Sequence, residues 1–214
     1  LNTFIHVIRG ALVRDTCTYY GFWPIGGTRA SISLQQGIPL WGPNRLFTAL
    51  IGDYRHYFTF ARRYAIAVRL VGAHAFGRDA GTDVAVFGLG GYNTIRSLDF
   101  REIEGSSAVL GNIELRFPFV DNLKLAFPIP MSFGGIDGLL FFDMGFVARK
   151  GEVLRLYDPE TKTFDQLKAA FGTGIRFVIY PIARFRLDVS TPFDGRRILP
   201  LKKWQGTVSL GFDF

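Results

Sequence analysis

Apolar and polar residues alternate with a period of two along most of this chain, which predicts strands with one apolar and one polar face. Thr28–Ile38 sets Ala30, Ile32, Leu34 and Ile38 on one face, with Arg29, Ser31, Ser33 and Gln35 on the other. Arg45–Phe60 aligns Leu46, Leu50, Tyr54, Phe58 and Phe60. Tyr64–Phe76 follows after the short Ala61-Arg62-Arg63 turn and carries Arg69 on its polar face. Ser107–Phe119 places Val109, Ile113, Leu115, Phe117 and Phe119 opposite Asn112, Glu114 and Arg116. Ile136–Val147 sets Leu140, Phe142, Met144 and Phe146 against Asp137 and Asp143, and Leu167–Tyr180 sets Phe171, Ile175, Phe177 and Ile179 against Lys168 and Arg176. Ala183–Phe193 alternates most cleanly, with Phe185, Leu187, Val189 and Phe193 opposite Arg184, Arg186, Asp188 and Ser190. In the terminal segment, Trp204, Gly206, Val208, Leu210, Phe212 and Phe214 oppose Gln205, Thr207, Ser209, Gly211 and Asp213. With a poorly alternating first segment at Thr3–Asp15, the pattern gives about nine strands and no convincing helix.

The strands are long. Several reach ten or more residues, the length a tilted strand needs to cross a hydrocarbon layer, whereas strands in globular proteins run to about five or six. Short turns such as Tyr180-Pro-Ile-Ala183 alternate with longer connections at Asp79–Ser106 and Ala148–Asp165, as in outer-membrane barrels. Arg and Asp on the face opposite Phe and Leu suit a wide, wet lumen better than a packed core, because a buried charge must be paired or neutralised. The expected fold is all-β: a transmembrane antiparallel β-barrel segment over residues 1–214, apolar outside and polar inside, with a long loop at 79–106. A soluble barrel with the same alternation is the competing reading. Trp23, Trp41 and Trp204 lie near predicted strand ends, where interfacial aromatics belong.

Composition narrows the chemistry. The chain is 48% hydrophobic with 22 Phe and 25 Gly, as expected of aromatic lipid-facing strands with glycine at bends. No apolar run approaches the roughly 18 residues of a membrane-spanning helix. The net charge of +7 does not imply nucleic acid, since most arginines fall singly on the polar parity of separate strands, interleaved with acids. The single Cys17 excludes a disulfide framework and a cysteine-rich metal site. His6, His56 and His74 lack ligand spacing, so no metal or cofactor is expected. Gly88-Leu-Gly-Gly91 lacks the Lys-Ser/Thr of a phosphate loop. No nucleophile elbow or placed Cys–His pair appears, and Glu102 and Glu104 read as solvated charges; no enzyme is expected.

Six segments, in order, resemble the C-terminal half of the BamA / bacterial surface antigen superfamily of outer-membrane assembly barrels. They are Phe22-Trp-Pro-Ile-Gly-Gly-Thr-Arg29, Leu89-Gly-Gly-Tyr-Asn-Thr-Ile-Arg-Ser-Leu98, Asn112-Ile-Glu-Leu-Arg-Phe-Pro-Phe119, Leu140-Phe-Phe-Asp-Met-Gly145, Gly172-Thr-Gly-Ile-Arg-Phe177 and Phe185-Arg-Leu-Asp188. The terminal strand also resembles the C-terminal sorting signal of such barrels, here Val208, Leu210, Phe212 and Phe214. The resemblance implies a barrel of roughly sixteen strands, of which this chain supplies about nine. It implies a loop that folds into the lumen, with its tip at Gly90, Gly91, Ile95, Ser97 and Leu98, and an ion pair between Arg96 on that tip and Asp143 on the wall. Ser97 stands where the family usually has glycine, and Leu98 where it usually has an aromatic. Glu114, Arg116, Arg176, Arg186 and Asp188 are the lumen charges around the pair. The competing reading leaves Arg96 solvated and pairs Asp143 with a lumen arginine such as Arg176.

The function implied by the resemblance is insertion or translocation of polypeptides through a barrel with a weak seam between first and last strands. The implied location is the bacterial outer membrane. The implied partners are outer-membrane lipid, the barrel-assembly machinery, and client polypeptides or a second chain completing the wall. A passive pore, or an anchor for an attached periplasmic or surface domain, is the alternative, followed by a surface adhesin acting through its loops.

Overall fold

The computed structural model describes residues 5–20, 23–40, 45–61, 63–82, 85–121, 123–126, 128, 130–152, 167–179, 183–193 and 204–210. Among these residues the chain is strand and loop, without helix. The strands are β1 (His6–Asp15), β2 (Thr18–Tyr20), β3 (Trp23–Ile38), β4 (Thr48–Ala61), β5 (Tyr64–Phe76), β6 (Phe87–Leu89), β7 (Ile103–Gly105), β8 (Ser107–Val120), β9 (Leu123–Leu125), β10 (Met131–Ala148), β11 (Lys168–Ile179), β12 (Ala183–Phe193) and β13 (Gln205–Leu210).

One antiparallel sheet runs β1-β3-β4-β5-β8-β10-β11-β12-β13, with β2 added on β3 and β9 on β10. Each long strand pairs with the next long strand in sequence, the up-and-down order that hairpin connections favour. The sheet is open, with β1 and β13 at its edges, and has the form of a partial barrel. Tyr64–Phe76 and Ala183–Phe193 have the bounds that alternation gives. By contrast, β3 starts at Trp23 and β10 at Met131, earlier than predicted. In β3, Pro24, Gly26 and Gly27 read as turn punctuation. The early part of β10 passes through a register shift between Phe133 and Ile136, with Gly135 at φ 131°. The short strands β2, β6, β7 and β9 are below the length at which alternation is legible.

The alternation sorts the faces. Ile32, Leu34, Leu50, Tyr54, Phe58, Phe60, Leu70, Ile113, Phe119 and Leu140 are all exposed, on the outward parity. An apolar exposed surface of this extent marks an interaction with lipid or protein. The inward parity carries the charges, but the interior is drier than a wide, wet lumen. Leu139 and Phe141 also point inward and are buried, and the long loop lays Leu89 and Ile95 against Ala108, Leu110 and Ala170 of the wall. That apolar contact is what the polar-lumen expectation missed.

Register then sets inward residues of different strands side by side. Arg55 pairs with Arg69, Arg69 with Asn112, and Asn112 with Asp143, giving a polar row across β4, β5, β8 and β10. The adjacent row is Tyr57, Ala67, Glu114, Phe141 and Gly172. On β11, Gly174 leaves room for the next strand's acid: a Cβ there would lie 2.1 Å from Asp188 Oδ1.

Candidate functional site: the loop latch in the lumen

The connection from β5 to β8 turns back along the inner face of the sheet. Its arms form the β6–β7 hairpin, and its tip is closed on itself: Gly91 N–H donates to Leu98 O at 3.0 Å, Leu98 N–H to Ile95 O at 3.2 Å, and Gly90 N–H to Thr94 Oγ1 at 2.7 Å. Gly90 and Gly91 have φ of 128° and 96°, a region costly for other residues. Ser97 is not among the described residues with positive φ, so the tip needs no glycine there. Leu98 joins the apolar contact with the wall. At the base of the loop, the Asp79 carboxylate accepts from Leu46 N–H at 2.7 Å, and that bond holds its pKa below the ordinary value.

Arg96 is the centre of the site, 3% exposed. Its Nε and Nη2 donate to the two oxygens of Asp143, each at 2.7 Å, and its backbone N–H approaches Oδ2 at 3.3 Å. Asp143 has no exposed surface and also accepts from Asn112 Nδ2 at 2.8 Å, which in turn donates to Thr94 O on the loop at 2.8 Å. The third arm, Nη1, lies 2.9 Å from Glu114 Oε1 and 3.6 Å from Asp188 Oδ2. These are ion-pair contacts without hydrogen-bond alignment, since Nη1 makes no hydrogen bond. The guanidinium also lies over the Phe141 ring, its Cζ 3.5 Å from the centroid. Burial alone would favour the neutral form of Arg96. The charges of Glu114, Asp143 and Asp188 outweigh that and raise its pKa, so Arg96 stays cationic at every physiological pH.

A bidentate fork in a site closed to water is worth more than the same pair at a surface, provided the remaining lone pairs are used. Here they are: Asp143 takes four N–H contacts. The three acids facing Arg96 come from β8, β10 and β12, so a single loop residue ties three wall strands together.

Glu114 is the second hub. Arg116 donates to its Oε2 from Nε at 3.0 Å and from Nη2 at 2.7 Å, while Arg176 Nη2 reaches both oxygens at 3.0 and 3.1 Å. Arg186 donates to Asp188 at 2.6 Å and comes within 3.7 Å of Glu114. The five charges that the resemblance sets around the pair, Glu114, Arg116, Arg176, Arg186 and Asp188, therefore lie in one network. Arg176 is committed to Glu114 and not to Asp143, and Arg96 is not a solvated loop charge.

Sequence reasoning missed a second tether. Arg69 donates to Asp53 from Nη2 at 2.8 Å and to the loop carbonyl of Asn93 from Nη1 at 2.9 Å, and Arg55 shares Asp53. Its signal was present, because Asp53, Arg55 and Arg69 fall on the inward parity of their strands. Trp23 departs from the girdle expectation: its ring lies under Arg176 at 5.5 Å, within the lumen. Trp204 sits edge-on to Phe171 at 5.9 Å on the outward face, and Trp41 lies outside the described residues. In the terminal strand, Val208 is 69% exposed and Leu210 ends β13; Phe212 and Phe214 lie outside the described residues.

A family model described as the Omp85 superfamily domain matches residues 7–214. Among solved structures, the crystal structure of BamA from Haemophilus ducreyi lacking POTRA domains 1-3 is similar, with a TM-score of 0.65 at 14% identity. The match covers 96% of this chain and 42% of that one, so this chain spans less than half of that protein's length. No curated protein matches the chain in sequence.

Proposed function

This chain belongs to the Omp85 superfamily, and from that premise we propose that it is one wall of a bacterial outer-membrane barrel that inserts or translocates polypeptides. The observation that carries this reading is the latch. Arg96 gathers carboxylates from β8, β10 and β12, and Arg69 ties β5 to the same loop. The loop thus braces β5 through β12 as one body. The brace ends at β12, and β13, paired with β12 over Gln205–Leu210, lies beyond it.

An open edge in hydrocarbon leaves backbone groups unpaired at several kcal/mol each. In the working protein a further wall therefore covers β1 and meets β13, supplied by sequence beyond these residues or by a second chain. The seam at β13 then accepts an incoming strand by β-augmentation, while the brace keeps the rest of the wall from opening. The outward apolar face meets outer-membrane lipid. The C-terminal sequence, with Phe214 as its last residue, is the segment that the barrel-assembly machinery reads. No catalytic step belongs to this reading.

Deletion of residues 79–106 from the intact protein tests it. Loss of folded outer-membrane client proteins, with the barrel itself still inserted, is the expected outcome. An inserted barrel that conducts ions and leaves client levels unchanged would mean a passive pore or an anchor.

A further inference from the structure

The long loop reaches the inner face from one end of the sheet. At the other end, beside the short β4–β5 turn, the start of β3 leaves the wall. The β3–β4 ladder ends at the pair Gly27–Tyr57, although β4 runs on to Ala61 against β5. Residues 23–26 pair instead with β2, across a register shift between Thr18 and Tyr19. Gly27 permits the departure: its φ is 90°, and a Cβ there would lie 2.3 Å from Thr16 O, a conformation and an approach that a side chain obstructs. The segment then crosses the concave side of the sheet. Strands β4, β5, β8 and β10 separate β3 from β11, so β3 and β11 are roughly 24 Å apart along the wall. Yet the Arg176 guanidinium of β11 lies 5.5 Å over the Trp23 ring, and Arg116 of β8 donates to Pro24 O at 3.1 Å.

We propose that β2 and residues 23–26 form a strap that closes this end of the inner face, a second closure held independently of the loop. Its moorings lie on the wall, outside residues 79–106. Thr59 Oγ1 of β4 donates to Ile25 O at 2.5 Å. Arg116 holds Pro24 O, Arg176 covers Trp23, and Arg63 in the β4–β5 turn lies 5.0 Å over the Tyr20 ring. A guanidinium on an aromatic face is attracted to it, the more so where water is partly excluded. The moorings are themselves fixed. Arg116 rests on Glu114 through Nε at 3.0 Å and Nη2 at 2.7 Å, while Arg63 donates to Asp121, just past β8, and to Asp137 of β10 at 2.9 Å. Arg63 does so with a φ of 67°, a region that a non-glycine residue occupies at a cost. The strap lies directly on the wall: Pro24 is buried, and the crevice left against Phe117 and Leu139 is about 20 Å³, close to the room one water needs. Loop and strap are thus two closures in series for anything passing along this inner face, and removing the loop leaves these moorings in place. The inference rests on the barrel wall alone and holds for a translocating or a passive barrel.

The test compares the intact protein, the same protein with residues 79–106 deleted, and the deleted form carrying Tyr20→Ala and Trp23→Ala as well. Amide exchange over residues 18–20 and 23–26 in detergent reads the strap, and single-channel conductance in planar bilayers reads the closure. Loop deletion alone is expected to change strap exchange less than threefold. The two added substitutions should speed that exchange at least tenfold and raise conductance at least twofold over the loop-deleted barrel. Where the deletion prevents insertion, Asp143→Ala, which frees the loop in a complete chain, takes its place; where the paired substitution prevents it, Trp23→Ala alone is used. Strap exchange that rises threefold or more when the loop is removed overturns the proposal, because the strap then leans on the loop. A conductance gain below twofold on releasing the strap also overturns it, because the strap then closes nothing. Client levels enter neither readout, so the outcome is separate from that of the translocation test.

Discussion

Replacing Asp143 by alanine removes the acceptor of both Arg96 fork bonds, of the Arg96 backbone N–H and of one Asn112 donor bond. Breaking one side of a buried ion pair costs about 3–5 kcal/mol, because the other charge stays buried. Arg96 keeps Glu114 at 2.9 Å and Asp188 at 3.6 Å, and Asn112 keeps Thr94 O, which argues for the lower end, about 3 kcal/mol. The loss falls on loop docking and not on the sheet, whose ladders Asp143→Ala leaves intact. At about 1.4 kcal/mol per tenfold, the undocked loop becomes roughly 100-fold more populated. Hydrogen exchange of the amides in residues 87–105 of the intact protein measures this, and the Arg96 amide, bonded to Asp143 itself, is the most direct reporter. Exchange within threefold of the unaltered protein, in a barrel that still shows heat-modifiable migration, would refute the latch. Exchanging the two signs restores only part of the loss, because a glutamate at position 96 would face Glu114 and Asp188.

Gly145→Ala puts a methyl 2.7 Å from Leu89 Cδ1 and 2.8 Å from Val109 O; overpacking of about 1–3 kcal/mol should lift the loop and speed the same amide exchange, with Asp143 untouched. Arg69→Gln removes the Asn93 tether and the Asp53 ion pair. It should make residues 91–95 at least fivefold more susceptible to limited proteolysis, and in a double-mutant cycle with Asp143→Ala its effect on loop exchange should couple by about 0.5–3 kcal/mol, since both hold one loop. Removal of Phe214 should lower the amount of folded barrel in outer membranes, read as the heat-modifiable fraction; unchanged levels would count against a sorting role for the terminal strand.

The sequence by itself determined the nine long strands, their faces and the place of the long loop. Alternation is a local property: a residue's parity fixes whether it points to the apolar or the polar side whatever the rest of the chain does. The outward set from Ile32 to Leu140 and the inward set of Glu114, Arg116, Asp143, Arg176, Arg186 and Asp188 were therefore legible, and the family resemblance added the pairing of Arg96 with Asp143. Parity says nothing about height along a strand or about which neighbour a charge meets. Those depend on register between segments far apart in sequence and on the path of a loop with no periodicity. Only the tertiary structure decided that Arg96 faces three carboxylates and a phenyl ring, that Arg176 serves Glu114, that Arg69 holds the loop through a backbone carbonyl, and that Trp23 turns inward beneath a guanidinium. It also decided that Leu139 and Phe141, on the polar parity, are buried: Phe141 lies beneath the loop's Arg96, and Leu139 sits beside Trp23 and Arg176, so a face that alternation marks as wet is covered.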